Sequence, residues 1–298
     1  MRCLKTLKHI YLLSLIFVLS VVSTAISAEP AVSTDWLEKN LNNPNIVIVD
    51  VRKVEEYKAG HIPSAVNIYY GSWAITKAGI RNELPAIDDL FDIIGSAGIT
   101  ADTHVVVVGK VDTPPDKFDM TRVAWTLKYA GVKNVSILDG GYNKWMTDKK
   151  PVSTEAVKPK EKPYKAEVNK NLIVDKDYVL SKLGKAILVD VREPEFYQGK
   201  KKLDFVAKLG RIKGAVNLPN SLAFNKDSTF KSREELEKAA SAAVGTDRSK
   251  EIITYCDTGK TCTAWAIILS DMLGYKDVKI YDGSTEEWTK DPNAPFEQ

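Results

Sequence analysis

Cysteine and histidine are scarce in this chain of 298 residues, which contains three of each. Three cysteines cannot form the disulfide framework that stabilises many small secreted domains. The C-terminal half has no histidine and no second cysteine pair, so we expect no metal site. Glycine-rich phosphate-binding motifs are also missing, and we expect no organic cofactor.

Long apolar runs are missing as well, except at the N terminus. Arg2, Lys5 and Lys8 precede the apolar residues 10–22, and small residues follow at 23–28. This pattern predicts a secretory signal peptide over residues 1–28, cleaved near Ala28, and an exported protein that is periplasmic or secreted. The alternative is an uncleaved membrane anchor, because residues 10–28 are nearly long enough to span a bilayer.

The chain has no strong excess of charge of either sign. Removing residues 1–28 takes away three positive charges and no negative ones, so the net charge falls from +3 to 0. Neither a basic groove nor a basic surface is indicated, and we expect no binding to nucleic acid and none to membranes after signal cleavage.

Of the three cysteines, Cys256 stands in the most informative context. Residues 251–255 are β-branched and aromatic, as in a strand, and residues 263–269 are typical of a buried helix. Cys256 is therefore predicted at a strand-to-helix turn, where backbone N–H groups can converge on its sulfur. The loop that supplies these amides is Asp257, Thr258, Gly259, Lys260 and Thr261.

Such a loop favours a thiolate. Lowering an ordinary cysteine pKa of about 8.5 by about two units needs roughly 2.7 kcal/mol. One helix dipole supplies about 0.3 to 1 kcal/mol, so we expect several N–H groups and the Lys260 ammonium to contribute. The alternative is that Cys256 is an inert core residue. Cys262 is either a small residue of the first helical turn or a second thiol that can trap an oxidised Cys256.

An internal duplication organises the rest of the chain. Residues 46–52 recur at 186–192, residues 60–67 at 210–217, and residues 136–141 at 279–284, with Trp145 and Trp288 following the last pair. Each copy alternates apolar runs with helical segments, which predicts two tandem α/β domains, each with a mostly parallel central sheet flanked by helices. We place the domains at 29–148 and 171–298, joined by a Lys- and Pro-rich linker at 149–170.

The two copies differ at the nucleophile. Gly109 follows the strand of the first copy where Cys256 follows the strand of the second, and the next loop is longer and contains Pro114 and Pro115. The N-terminal copy is therefore predicted to be catalytically inactive. Its remaining tasks are to cover the other domain, to shape the cleft or to recognise a partner.

Taken together, these motifs resemble the rhodanese superfamily, in particular the tandem-domain thiosulfate and 3-mercaptopyruvate sulfurtransferases. The resemblance covers nearly all of residues 31–298. It rests on the two Asp-Val-Arg strand ends, the Gly-His-Ile-Pro-Ser-Ala segment at 60–65, the loop from Cys256 to Thr261, and Asp282-Gly283-Ser284 with Trp288.

The resemblance implies a sulfurtransferase in which Cys256 becomes a persulfide. Cys256 is expected to attack the outer sulfur of a donor such as thiosulfate, to release sulfite, and to pass the sulfur to cyanide or a thiol. Its partners are thus a small sulfur-containing anion or thiol, with a protein acceptor as a further possibility. Related phosphatases have an arginine where this chain has Cys262, so phosphatase activity is disfavoured.

Two departures from the family pattern concern substrate binding. A basic loop residue is replaced by Asp257, and a second arginine is replaced by Phe196. Lys260, Arg192 and Arg211 are the candidates for binding the donor instead, although Arg192 can equally form an ion pair that supports the strand end. An alternative function follows: a persulfide carrier that serves a dedicated protein partner and turns over small donors poorly.

Overall fold

The computed structural model describes residues 28–298. The predicted signal peptide lies outside these residues, apart from Ala28. Within the described range no helix combines the length and apolarity needed to cross a bilayer.

The first half contains a sheet of five parallel strands in the order β1-β7-β6-β2-β3. The strands are β1 (Ala31–Val32), β2 (Ile46–Asp50), β3 (Val66–Asn67), β4 (Ile75–Lys77), β5 (Ile80–Glu83), β6 (His104–Val108) and β7 (Asn134–Leu138), of which β4 and β5 form a separate antiparallel hairpin. The helices are α1 (Thr34–Lys39), α2 (Val54–Ala59), α3 (Ile87–Ser96), α4 (Lys117–Tyr129) and α5 (Gly141–Thr147).

The second half repeats this topology, with a parallel sheet in the order β8-β13-β12-β9-β11. Its strands are β8 (Ile173–Val174), β9 (Ile187–Asp190), β10 (Arg211–Ile212), β11 (Val216–Asn217), β12 (Glu251–Tyr255), β13 (Asp277–Tyr281) and β14 (Phe296–Glu297). Its helices are α6 (Lys176–Lys182), α7 (Pro194–Tyr197), α8 (Arg233–Val244), α9 (Cys262–Ile267) and α10 (Ser284–Trp288), and residues Ile268–Met272 extend α9 as a π-helical segment.

These two sheets confirm the predicted fold class. The central strands β6 and β12 are buried along almost their whole length, because helices cover both faces of each sheet. Equivalent strands occupy equivalent places in the two sheets, as the sequence repeats indicated.

The Asp-Val-Arg repeats have a shared structural role at the strand ends. In both halves the arginine side chain donates hydrogen bonds to the aspartate two residues earlier and to a backbone carbonyl. For Arg52 this carbonyl belongs to Gly60, and for Arg192 it belongs to Gly210. The pairing occurs even in the half that has no cysteine at its strand end. Asp190 and Arg192 therefore support the fold, whatever else Arg192 contributes.

The linker differs from the solvated connector that its composition indicates. It has no helix of its own, yet Tyr164 is buried and its hydroxyl donates a 2.8 Å hydrogen bond to the Ala130 carbonyl. His61 and Ser153 form an antiparallel bridge that holds the start of the linker. Further main-chain hydrogen bonds from Lys162 to Gly95 and from Asn169 to Tyr129 fasten this segment, which lacks hydrophobic periodicity, to the first half.

Helices α4 and α9 pack against each other and join the halves. The hydroxyl groups of Thr121 and Thr263 lie 2.8 Å apart in this contact, and Trp125 and Trp265 belong to the same buried cluster. One continuous core therefore spans both halves, so the position of either half depends on the other.

We predict that Asp50→Ala lowers the free energy of unfolding by about 3–5 kcal/mol, because it leaves the buried Arg52 guanidinium without its carboxylate. Urea denaturation measures the loss. Asp102→Ala is the control, since Asp102 and Lys133 form an ion pair whose side chains are 80% and 68% exposed, and its removal costs about 1 kcal/mol or less. Equal losses in the two variants would contradict the role assigned to the buried pair.

Candidate functional site

Cys256 directly follows β12, at the carboxyl end of the second sheet, and α9 begins six residues later. Ligand sites of parallel sheets lie beyond this edge. The cysteine is only 1% exposed. The loop from Asp257 to Thr261 therefore wraps a sulfur that solvent barely reaches.

A serine that the sequence analysis did not single out fixes this loop. The Ser284 side-chain oxygen accepts hydrogen bonds from the backbone N–H groups of Cys256 (3.1 Å) and Gly259 (3.0 Å), and its hydroxyl donates to the Tyr281 carbonyl (2.9 Å). The Gly259 amide was predicted to face the sulfur, and in the structure it donates its hydrogen bond to Ser284. The repeated Asp-Gly pair, which Ser284 follows in the second copy, was the available signal, but the contact of the serine with the loop is visible only in three dimensions.

The loop requires glycine at position 259. Gly259 has a φ angle of +71°, which side chains other than glycine adopt at a cost. An added Cβ atom would also overlap the carbonyl oxygen of Asp282. Glycine at this position therefore permits both the tight turn and the close approach of the loop to Asp282.

The environment of Cys256 favours the thiolate. Burial by itself raises the pKa of the thiol, but hydrogen bonds from the side chains of Cys262 and Thr261 and from the backbone N–H groups of Thr258 and Cys262 outweigh it. Together they lower the pKa of Cys256 to about 5. At neutral pH the sulfur is therefore an anion.

Cys262 takes part as a protonated donor. It is the first residue of α9 and is fully buried. Burial raises its pKa well above the ordinary value, and the neighbouring Cys256 sulfur raises it further. The structure places Cys262 in the first helical turn, where its thiol donates to Cys256. Its capacity to trap an oxidised Cys256 stays a prediction.

The N-terminal half contributes a buried arginine to the loop. Arg122, in α4, donates to the carbonyl oxygens of Gly259 (2.9 Å) and Asn82 (2.6 Å) and pairs with Asp282. Its side chain is completely buried. It fixes the Gly259 carbonyl by a hydrogen bond across the domain interface. The sequence offered no local signal for this contact.

Further contacts from the N-terminal half reach the same loop. The Asn82 side-chain amide donates to the Thr258 hydroxyl oxygen at 2.8 Å. Lys260 pairs with Asp119 and lies 4.7 Å from the centre of the Tyr70 ring. Lys260 was predicted to bind the donor, but the structure directs its side chain to the interface, because Asp119 of α4 offers a carboxylate there.

A cleft of about 510 Å³ opens beside the loop. Both halves line it, with Asp257 and Thr261 from the loop and Arg192 from the strand end. Arg192 thus lies where the prediction placed it, although most of its hydrogen bonds go to Asp190 and Gly210. The full set of lining residues is Pro114, Pro115, Lys117, Phe118, Val191, Arg192, Glu193, Phe196, Asn220, Ser221, Asp257 and Thr261.

Asp257 is the acidic residue next to the nucleophile. Its carboxylate contacts the Arg192 guanidinium at 3.4 Å and accepts a 3.1 Å hydrogen bond from the Thr285 hydroxyl. Burial raises the pKa of Asp257 to about 6, with Arg192 acting against this rise and the Cys256 sulfur adding to it. The two neighbouring anions therefore oppose each other, and the hydrogen-bond donors around Cys256 overcome this repulsion.

Arg211 lies apart from this cleft. It pairs with Glu297 at 3.2 Å, and its guanidinium lies 4.5 Å from the centre of the Tyr197 ring. Because β10 pairs with the C-terminal strand β14, the side chain is held at that edge. The assignment of Arg211 to donor binding is corrected accordingly.

A side chain at the equivalent position of the first half would be crowded. A Cβ atom at Gly109 would lie 2.9 Å from the Met120 Cγ atom. This crowding is consistent with the predicted inactivity of that copy. Across residues 28–298, no cluster of three or more His, Cys, Asp or Glu side chains is arranged to hold a metal ion.

Comparison with known proteins places these features in a family. Residues 33–148 and 173–291 each match the family described as Rhodanese-like domain. The chain is also 35% identical over 275 residues to a Mycolicibacterium smegmatis protein named "Putative thiosulfate sulfurtransferase", covering 89% of this chain and 96% of that protein.

Two further relatives extend the comparison. The Sulfur carrier protein TtuD of Thermus thermophilus is 32% identical over 277 residues, covering 87% of this chain and 93% of that protein. The crystal structure of the anaerobic ergothioneine biosynthesis enzyme from Chlorobium limicola, in complex with its natural substrate trimethyl histidine, is similar with a TM-score of 0.79 and 25% identity. That similarity covers 90% of this chain and 70% of the other.

We predict that the thiolate absorbance of the folded protein titrates with a midpoint near pH 5. Because the pKa in the folded state is below that of the unfolded chain, ionisation stabilises the fold above the unfolded pKa, and this stability is lost as the pH falls through about 5. Cys262→Ala should raise the midpoint by about one pH unit, since one donor is lost. Cys256→Ser should abolish the signal, and a wild-type midpoint above pH 8 would contradict the assignment.

We also predict that Arg122→Met raises the midpoint of this thiolate titration, because the Gly259 carbonyl and Asp282 lose their shared partner. Arg122→Lys should restore part of the shift, as it retains the charge but not the fork of donors. The surface variant Arg248→Met, which removes an exposed ion pair with Glu237, is the control. If Arg122→Met leaves the midpoint unchanged while destabilising the fold, Arg122 supports the interface alone.

Proposed function

The chain belongs to the rhodanese family, in its tandem-domain form, and from this premise we propose that it is an exported sulfurtransferase that carries sulfur as a persulfide on Cys256. The observation that carries the proposal is the buried Cys256 sulfur, whose pKa of about 5 makes it a thiolate at neutral pH. A thiolate is the nucleophilic form of cysteine and is well matched to a soft sulfur atom.

The reaction divides into two displacements. The Cys256 thiolate attacks the outer sulfur of thiosulfate, the sulfur–sulfur bond of the donor breaks, and sulfite leaves with its electron pair. Cys256 is then a persulfide. In the second step cyanide or a thiolate attacks the terminal sulfur, forming thiocyanate or a new persulfide and returning the Cys256 thiolate. A preformed thiolate needs no histidine base.

The loop supports both steps with the same donors. The Thr258 and Cys262 amides and the Thr261 hydroxyl stabilise a negative charge at the sulfur before donor binding. Fixed donors cost little reorganisation when the charge moves onto the terminal sulfur of the persulfide. Thr261 also lines the cleft, so one residue contacts both the sulfur and the space beside the loop.

A second candidate function is that of a persulfide carrier that serves a protein acceptor. The relative named Sulfur carrier protein TtuD supports it, as does Asp257, whose carboxylate stands at the place where a basic residue would hold a small anion. The Chlorobium limicola enzyme, with trimethyl histidine as its natural substrate, supports the use of an organic molecule by this fold.

Export is proposed on sequence grounds. Three basic residues, an apolar run over residues 10–22 and small residues at 23–28 support removal of a signal peptide. Periplasmic or secreted protein isolated from its host is therefore expected to begin near Glu29.

The test is to expose the mature protein to thiosulfate and to record its intact mass. We predict a gain of one sulfur atom, located on Cys256 by peptide mapping, and formation of thiocyanate when cyanide is added. The same spectrum shows where the mature chain begins. Cys256→Ala should lose both signals because no other residue in the loop supplies a thiolate.

Cys262→Ala is the matched control, since it removes a buried thiol of the same size six residues away. It should still accept sulfur, at a reduced rate. Turnover by Cys256→Ala at the wild-type rate would reject the proposal. Rapid loading of Cys256 combined with very slow transfer to cyanide would instead favour the carrier.

A further inference from the structure

We propose that the cleft beside Cys256 selects a donor that carries an apolar ring and a single negative charge, in preference to the dianion thiosulfate. This inference rests on the proposed function and assigns the substrate class of the same site. Its basis is the composition of the cleft walls, in which aromatic and proline side chains outnumber available cations.

The apolar walls come from both halves of the molecule. Phe196 and Val191 belong to the second half, and Pro115 and Phe118 approach from the first. Phe118 is buried and packs edge-to-face on Phe224, with ring centres 5.8 Å apart, so it forms a fixed surface. A planar hydrocarbon group gains from contact with such walls, whereas a small hydrated anion does not.

The charges in the cleft do not favour a dianion. Lys117 is the cation among the lining residues that no carboxylate pairs with in the described structure, and its ammonium lies 4.4 Å from the centre of the Phe224 ring. Glu193 and Asp257 bring two carboxylates to the cleft, and the charge of Arg192 is balanced by Asp190 and by its 3.4 Å contact with Asp257. The Cys256 thiolate adds another negative charge.

Two other cations close to the loop form ion pairs at the interface between the two halves. Arg122 pairs with Asp282, and Lys260 pairs with Asp119. The cleft therefore has an excess of negative charge. This charge repels a sulfur donor with two negative charges more strongly than a sulfur donor with one.

The size of the cleft agrees with an organic donor. Its volume of about 510 Å³ lies within the range of about 300–1,000 Å³ that is usual for small-molecule sites. Thiosulfate fills a small part of that space and leaves Phe196 and Pro115 uncovered.

Thiosulfonates of the form R–SO2–S⁻ provide a direct probe of this preference. The Cys256 thiolate attacks the terminal sulfur, the bond between that sulfur and the sulfonyl sulfur breaks, and the sulfinate R–SO2⁻ leaves with the electron pair. The total charge is unchanged. Benzenethiosulfonate and methanethiosulfonate share the same reacting group and differ in the ring, and thiosulfate adds the second charge.

The experiment measures kcat/KM for the three donors with cyanide as acceptor. We expect benzenethiosulfonate to exceed methanethiosulfonate by about tenfold, from burial of the ring. Phe196→Ala should reduce this ratio by about fivefold, a loss of roughly 1 kcal/mol of ring contact. Comparing ratios between variants cancels the different leaving-group abilities of the two sulfinates.

Asp257→Asn tests the charge. It should raise kcat/KM for thiosulfate relative to benzenethiosulfonate by about tenfold, because it removes one negative charge from the approach of the dianion. The control is Glu195→Gln, which changes a neighbour of Phe196 that pairs with Lys201 at the surface, and it should leave every ratio unchanged.

The outcomes separate this inference from the proposed function. If none of the donors places sulfur on Cys256, the proposed function fails. If sulfur loads but thiosulfate is the best donor, or if Phe196→Ala and Asp257→Asn leave the ratios at the wild-type values, the proposed function stands and the substrate class assigned here is wrong.

Discussion

The site depends on a negative charge held on a buried sulfur. Burial alone opposes this charge, so the thiolate depends on the hydrogen-bond donors in the loop. Lowering the pKa of Cys256 to about 5 corresponds to stabilising the thiolate by on the order of 5 kcal/mol relative to an ordinary thiol. No single helix dipole supplies so much. The sum requires a protonated Cys262, the Thr261 hydroxyl and backbone amides, all positioned by one short loop.

Positioning this loop is the work of both halves of the duplicated chain. Ser284 ties the loop to the end of β13, and Arg122 ties it to α4 of the other half. The first half has Gly109 in place of a nucleophile, yet it supplies the arginine, the Asn82 amide and part of the cleft wall. The N-terminal copy therefore serves as a scaffold for the site in addition to repeating the fold.

In this arrangement most of the residues that activate the nucleophile differ from the residues that line the cleft. The loop, closed around its sulfur, holds the nucleophile as an anion, and we propose that the open cleft beside it selects the sulfur donor. Phe196 and Asp257, the two departures from the family pattern, both lie in the cleft walls. Asp257 adds negative charge to the cleft and Phe196 adds apolar surface, whereas the hydrogen bonds that lower the pKa of Cys256 come from Cys262, Thr261 and Thr258.

Periodicity and repeats in the sequence were sufficient for the parallel sheets, the repeated topology and the place of Cys256 at a strand-to-helix turn, because each is set by residues close together in the chain. Ser284, Arg122, the packing of Tyr164 and the true partners of Lys260 and Arg211 required the tertiary structure. Each of these depends on groups that are separated in sequence, and the contacts of Arg122 and Lys260 form only when the two halves pack together. The direction of a charged side chain at a domain interface depends on the charged residues that it meets there. The local sequence does not show which residues these are.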